Sequence, residues 1–135
     1  MPRCGDYYEV EIKEAHLDWG EYRHTESRPR IYGEGYIKIP LKAAKELEIY
    51  NSNKEGDKLG RNIFNWTSSD GLYSGKLKAQ GSSHAGDMYA KQFAENGDLK
   101  KIGKWYEYCN ANIGDSVKVE WVSEIEIRIT YIRRA

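Results

Sequence analysis

Three arginines, Arg23, Arg28 and Arg30, fall in a stretch whose single acid is Glu26, a local balance of +2. Tyr22, His24, Thr25 and Ser27 surround them with hydrogen-bonding groups. A second polar stretch, from Gln80 to Asp87, carries Ser82, Ser83 and His84 among glycines. Across Lys76 to Gln92, the lysines Lys76, Lys78 and Lys91 stand against Asp87, again +2. These side chains suit the reading of base edges: forked guanidinium donors match guanine, amides match adenine, and carboxylates match the cytosine amino group in the major groove. Hydroxyls and ammonium groups hold phosphates. Asn65, Thr67 and Ser68 end a strand beside a turn, where they either meet backbone phosphates or cap their own loop. Lys100, Lys101 and Lys104 form a further basic loop, either reaching a flanking phosphate or simply solvated.

Catalytic chemistry finds no comparable cluster. Glu11-Ile12-Lys13 has the E-x-K spacing of metal-dependent nucleases, but Asp6 is too near in sequence to be the separate acid such a site needs. His16, His24 and His84 are scattered, so no metal triad or nucleophile–base pair follows from spacing. Cys4 and Cys109 have no partners at zinc-ligand spacing and are too few for a disulfide framework. No phosphate-cradling glycine motif occurs. The expectation is a binding protein without cofactor or metal, not an enzyme.

The elements that must position these groups follow from hydropathy patterning. The chain has 135 residues, enough to bury a core as one domain spanning 1–135. Formal net charge is +0, from 21 basic and 21 acidic residues, so any polyanionic partner has to be met by a local patch. No apolar run approaches the ~20 residues of a membrane span. The N-terminal sequence lacks the apolar core of a signal peptide, and a soluble cytoplasmic protein is expected.

Tyr8, Val10 and Ile12 alternate with polar residues as a first strand over Tyr7 to Ala15. The long polar segment from His16 to Gly33 is too irregular for a simple connector, and loops of that kind on rigid frames often carry function. Gly35 to Pro40 reads as a strand, with Pro40 as the first residue of a helix placing Leu41, Ala44 and Leu47 on one face. Ile63, Phe64 and Trp66 mark a strand to Ser68, with Leu72 to Lys78 as its partner and Met88 to Phe93 as the next. Trp105, Tyr108 and Cys109 share a helix face by their i, i+3, i+4 spacing. Gly114-Asp115 supplies a turn, and Asp115 serves it. Val117, Val119 and Trp121 form a strand, paired through a Ser123-Glu124 hinge with Ile125, Ile127, Ile129 and Tyr131. Trp105 and Trp121 point inward; Trp19 and Trp66 remain open. The sum is about seven strands and two short helices, mainly β, a barrel or sandwich.

Two separated motifs carry a resemblance. Ile37-Lys38-Ile39-Pro40 runs at once into a helix. Far downstream, Gly103-Lys104-Trp105, a short helix, Asn110, Ile113 and Gly114-Asp115-Ser116-Val117 follow in order. Together they resemble the B3 DNA-binding pseudobarrel superfamily, which includes plant B3 transcription factors and the DNA-recognition domains of certain restriction endonucleases. The run Gly33 to Pro40 is similar to the restriction-enzyme branch in particular. The resemblance covers most of the chain in element order and these stretches in residue identity.

It implies a seven-stranded B3-like pseudobarrel that grips the major groove of double-stranded DNA with two arms. The N-arm would be Tyr22 to Arg30 and the C-arm Gln80 to Asp87, with Lys91 beside it. The chain departs from strongly basic B3 domains in being neutral. The resemblance further implies a restriction-modification or regulatory setting, with any cleavage on a nuclease or other effector chain. The competing reading is a β-barrel module for carbohydrate or protein, which 11 Tyr and 4 Trp would suit as an aromatic platform. An AbrB-like dimer, usually built from much shorter chains, fits less well.

Overall fold

The computed structural model describes residues 2–13, 16, 35–81 and 87–134. Strands β1 (Tyr7–Glu11), β2 (Ile37–Lys38), β3 (Ile63–Ser68), β4 (Ser74–Gln80), β5 (Gln92–Glu95), β6 (Ser116–Trp121) and β7 (Glu126–Ile132) form one sheet, in the order β1-β6-β7-β3-β4-β5-β2. Neighbours are antiparallel except β3 and β7, which run parallel, with Asn65 opposite Glu126 and Thr67 opposite Arg128. The sheet curls into a nearly closed barrel. Among the described residues, three short helices accompany it: α1 (Leu41–Glu46), α2 (Ser52–Glu55) and α3 (Lys101–Tyr108). The mainly β, seven-stranded pseudobarrel read from the sequence is the fold the chain adopts, with the single turn of α2 in addition.

Alternation explains the core. Val117, Val119 and Trp121 on β6 are fully buried, and the register sets Val119 opposite both Tyr8 and Ile129 on the inner face. Trp121 is the hub. Phe64 meets it edge-on at 5.5 Å, Phe93 lies at 6.3 Å and Tyr8 at 6.4 Å between ring centroids. Each large apolar side chain sequestered in this way contributes about 1.5–3 kcal/mol relative to exposure. Trp66 also turns inward, and its indole N–H donates to the buried Glu95 carboxylate over 2.9 Å.

Several boundaries differ from the sequence expectation, each for a local reason. Ile125 is not part of β7; residues 122–125 are used in the turn, closed by the Val122 N–H to the Glu126 carbonyl. Helix α3 begins at Lys101, so its buried face is Ile102, Trp105 and Tyr106, while Tyr108 is 46% exposed and leans on Tyr73. Pro40 is the residue before α1 rather than its first turn, and Leu41 is exposed where Ala44 is buried. Glu48 then takes a left-handed conformation, φ 55°, which ends the helix and sends Ile49 into the core.

Strand β4 starts two residues late because Asp70 accepts from the Leu72 N–H and the Ser68 hydroxyl, holding the turn open. Met88–Ala90 lies outside β5. It pairs instead with 49–51, through Asn51 N–H to the Met88 carbonyl and Ala90 N–H to the Ile49 carbonyl. Asp115 does more than serve its turn: it is buried, accepts from the Tyr131 hydroxyl and the Arg134 N–H, and ties β6 to the end of β7.

Candidate nucleic-acid interface

Tyr22, Arg23, His24, Thr25, Ser27, Arg28 and Arg30 of the expected N-arm lie outside the described residues, as do Ser82, Ser83 and His84 of the C-arm. On the N-arm side, the Tyr36 N–H donates to the His16 carbonyl at 3.2 Å, and the two rings meet edge-on with centroids 5.0 Å apart. His16 Nδ1 accepts from the Lys13 N–H at 3.1 Å, so this imidazole is used neutral, as an acceptor. Burial, then the nearby ammonium groups of Lys38 and Lys13, push its pKa down to about 4. His16 and Tyr36 therefore form one hydrogen-bonded stem.

The C-arm side is closed by Asn51, whose side chain is fully buried. Its Oδ1 accepts from the Gly81 N–H at 2.9 Å and from the Asn53 N–H at 2.9 Å, while Nδ2 donates to the Asp87 carbonyl at 3.0 Å. The Asn53 amide donates in turn to the Gly81 carbonyl at 2.8 Å. Tyr50 and Tyr89 stack beside this joint at 5.5 Å, with the Arg61 guanidinium 4.0 Å over the Tyr50 ring. Asp87 and Lys91, both expected to contact DNA, form an ion pair of 3.1 Å.

Strand β2 links the two stems. Tyr36 enters it from the N-arm side, and the Ile39 N–H at its far end donates to the Lys91 carbonyl at 2.9 Å. Lys91 N–H donates onward to the Gln80 carbonyl at 2.7 Å. The register sets Lys38 opposite Gln92 and Gln92 opposite Gln80, so an ammonium group and two amides make a row across three strands. Their neighbours Ile37, Phe93 and Ala79 are buried, which places this row on the outer face. Outward amides and a cation in line offer base-edge donors and acceptors beside a phosphate contact.

Asn65, Thr67 and Ser68 are not brought to this place. Thr67 faces Ser74 at the start of β4, six residues before Gln80 at its end, which at strand spacing is about 20 Å away. Ser68 is buried and spends its hydroxyl on Asp70 and on the Tyr73 N–H, the capping role. Two open hollows, of about 400 and 420 Å³, flank this turn; Thr67, Glu126 and Arg128 line one, Trp105, Tyr108 and Arg133 the other. Glu11 and Lys13, the nuclease-like pair, form an exposed 2.5 Å ion pair that holds the Glu11 carboxyl below its usual range. Among the described residues no group of three or more His, Cys, Asp or Glu could hold a metal, and no helix is long and apolar enough to cross a membrane.

No model of a known protein family matches the sequence, and no curated protein does. The overall fold does have a counterpart among solved structures. The chain is similar in fold to the N-terminal domain of Helicobacter pylori LlaJI.R1. The match covers 96% of this chain and 89% of that one, with a TM-score of 0.54 and 12% identity. At that identity the likeness to LlaJI.R1 is one of backbone architecture, so the side chains on the shared frame have to be read from this chain alone.

Lys38, Gln92 and Asn51 were not among the residues singled out from the sequence. Alternation marks Lys38 and Gln92 as outward, but only the cross-strand register aligns them with Gln80. Asn51 stands in a turn-rich stretch where an asparagine carries no distinguishing signal.

Proposed function

We propose that this chain is a recognition module that binds double-stranded DNA in a sequence-specific manner, with the arms 22–30 and 80–87 in the major groove and no catalytic step of its own. The observation that carries this reading is the convergence on β2: the stem of one polar excursion enters it at Tyr36, and the flank of the other is hydrogen-bonded to its far end at Ile39. Between them runs the outward row of Lys38, Gln92 and Gln80. The B3-like sequence motifs and the pseudobarrel architecture support the same reading.

In this mechanism, lysines and hydroxyls fix register on phosphates, and Arg23, Arg28, Arg30, Gln80 and Asp87 read base edges. To accept from a cytosine amino group, Asp87 exchanges its Lys91 partner for the base, which frees Lys91 for a phosphate. A chain of formal charge +0 binds non-specific DNA weakly, so a nuclease or other effector chain of a restriction-modification or regulatory system supplies any cleavage or additional grip.

The test is a fluorescence-anisotropy titration against randomised duplex DNA at low and moderate salt, with selection and sequencing of the bound fraction. An enriched motif and an affinity that falls steeply with salt are expected. Absence of binding at low salt overturns the proposal. One observation favours a second reading: the Tyr73–Tyr108 pair, 5.1 Å between centroids, at a hollow that Tyr108, Asp70 and Arg133 line, resembles a sugar platform. Glycan binding that is lost in Tyr108→Ala would support that alternative.

A further inference from the structure

We infer that Asn51 is a positioning residue for DNA reading by the C-arm, a role that rests on the DNA-recognition reading above. One primary amide joins the two described flanks of the arm: its oxygen holds the Gly81 N–H and its nitrogen holds the Asp87 carbonyl. The same oxygen caps α2 through the Asn53 N–H, and Asn53 returns a bond to the Gly81 carbonyl, so the joint is anchored to a separate element. The backbone Asn51 N–H bonds the Met88 carbonyl, fixing the return path as well.

No other side-chain type does this. Aspartate keeps the acceptor and loses the donor, serine reaches only one end, and a longer glutamine does not fit a fully buried site. Gly81 is matched to the joint. A Cβ there would stand 3.0 Å from Asn51 Nδ2 and 3.2 Å from its Cγ. Its φ lies outside the left-handed range, so the contact with Asn51, not backbone freedom, is what demands glycine. Gln80 on one flank and Asp87 on the other are the two reading groups whose separation the amide sets.

The experiment compares Asn51→Ala and Gly81→Ala with the wild type, perturbing one joint from its two sides. Each protein is titrated with the duplex selected as above and with a scrambled duplex of the same length, and its thermal midpoint is measured in parallel. A positioning role predicts that discrimination between the duplexes falls by about tenfold or more in both variants. Affinity for the scrambled duplex, set by phosphates, stays near the wild-type value. A purely structural role scales both affinities with the folded fraction and leaves discrimination unchanged. Asn51→Asp, which retains the bond to Gly81, is expected to recover part of the discrimination lost in Asn51→Ala. Wild-type binding with unaltered discrimination in both alanine variants overturns the inference alone. Failure of the wild type to bind any duplex overturns the DNA reading and the inference together.

Discussion

Arg28 and Arg30 flank Pro29, whose fixed φ, under the proposed DNA reading, lowers the entropy lost when both side chains dock. A guanidinium that forks onto guanine O6 and N7 is worth about 1–3 kcal/mol of discrimination. Replacing Arg28 or Arg30 by alanine is therefore expected to weaken the selected duplex by that amount and to relax preference at one position. A phosphate contact would instead weaken all sequences alike and reduce the salt slope by about one. Anisotropy against matched and singly substituted duplexes separates the two. Unchanged affinity in both variants would remove this arm from the interface. Arg28 and Arg30 were readable as a basic cluster in the sequence because charge and spacing are local properties. Lys38 and Gln92 were not, because their alignment with Gln80 depends on which strands become neighbours.

The seam between β4 and β5 shows the same divide at the level of elements. Gly75 looks like a weak point in a strand, and nothing nearby in sequence explains it. Across the sheet, Glu95 is buried, accepts from the Trp66 indole at 2.9 Å and the Lys76 N–H at 2.8 Å, and lies 3.8 Å from Lys101. A Cβ on Gly75 would come within 1.9 Å of its carboxylate oxygen. Gly75→Ala forces that carboxylate off its partners and is expected to cost about 3 kcal/mol, read by urea denaturation. In a Glu95→Ala background the same substitution is expected to cost almost nothing, and a cost that persists would refute the account. The strands themselves were legible wherever alternation was strict, as in Val117, Val119 and Trp121. Boundaries slipped where a turn took residues that hydropathy assigned to strands, as at Ile125, or where a helix began before its first aromatic, as at Lys101.

For the whole molecule, the shifted groups define a stability window in pH. On the acid side, His16 titrates near 6.5 when unfolded but is pushed down to about 4 in the fold, chiefly by burial, so the unfolded chain takes up its proton first. Stability falls as pH drops through that interval. Asp70, held low mainly by the Ser68 hydroxyl, has the same sign. On the alkaline side, burial pushes the Cys109 thiol from 9.0 up to about 11 and the Tyr131 phenol from 10.0 up to about 12. The unfolded chain then loses protons first, and stability declines as pH rises through those values. A plateau in thermal midpoint between about pH 6.5 and 9, with losses on both sides, is the expected profile. An acid limb that His16→Gln leaves unchanged would remove the imidazole from this account. A mainly β barrel or sandwich was legible at this scale from strand count and turn spacing, and the pseudobarrel from the resemblance carried by Ile37–Pro40 and Gly103–Val117. The closing of the two polar stems around β2 was not, because it depends on hydrogen bonds between residues far apart in sequence.

The parallel pairing of β3 with β7 has a consequence for how the molecule comes into being. β7 is the last of the seven strands to leave the ribosome, yet it lies between β6 and β3. Until it is made, β3 with its partners and β6 with β1 are two fragments, each exposing a bare edge to the surroundings. Nothing in the first half of the chain can seal the barrel. β7 is therefore a keystone, and the time spent waiting for it is when the nascent chain is most open to pairing with a stranger.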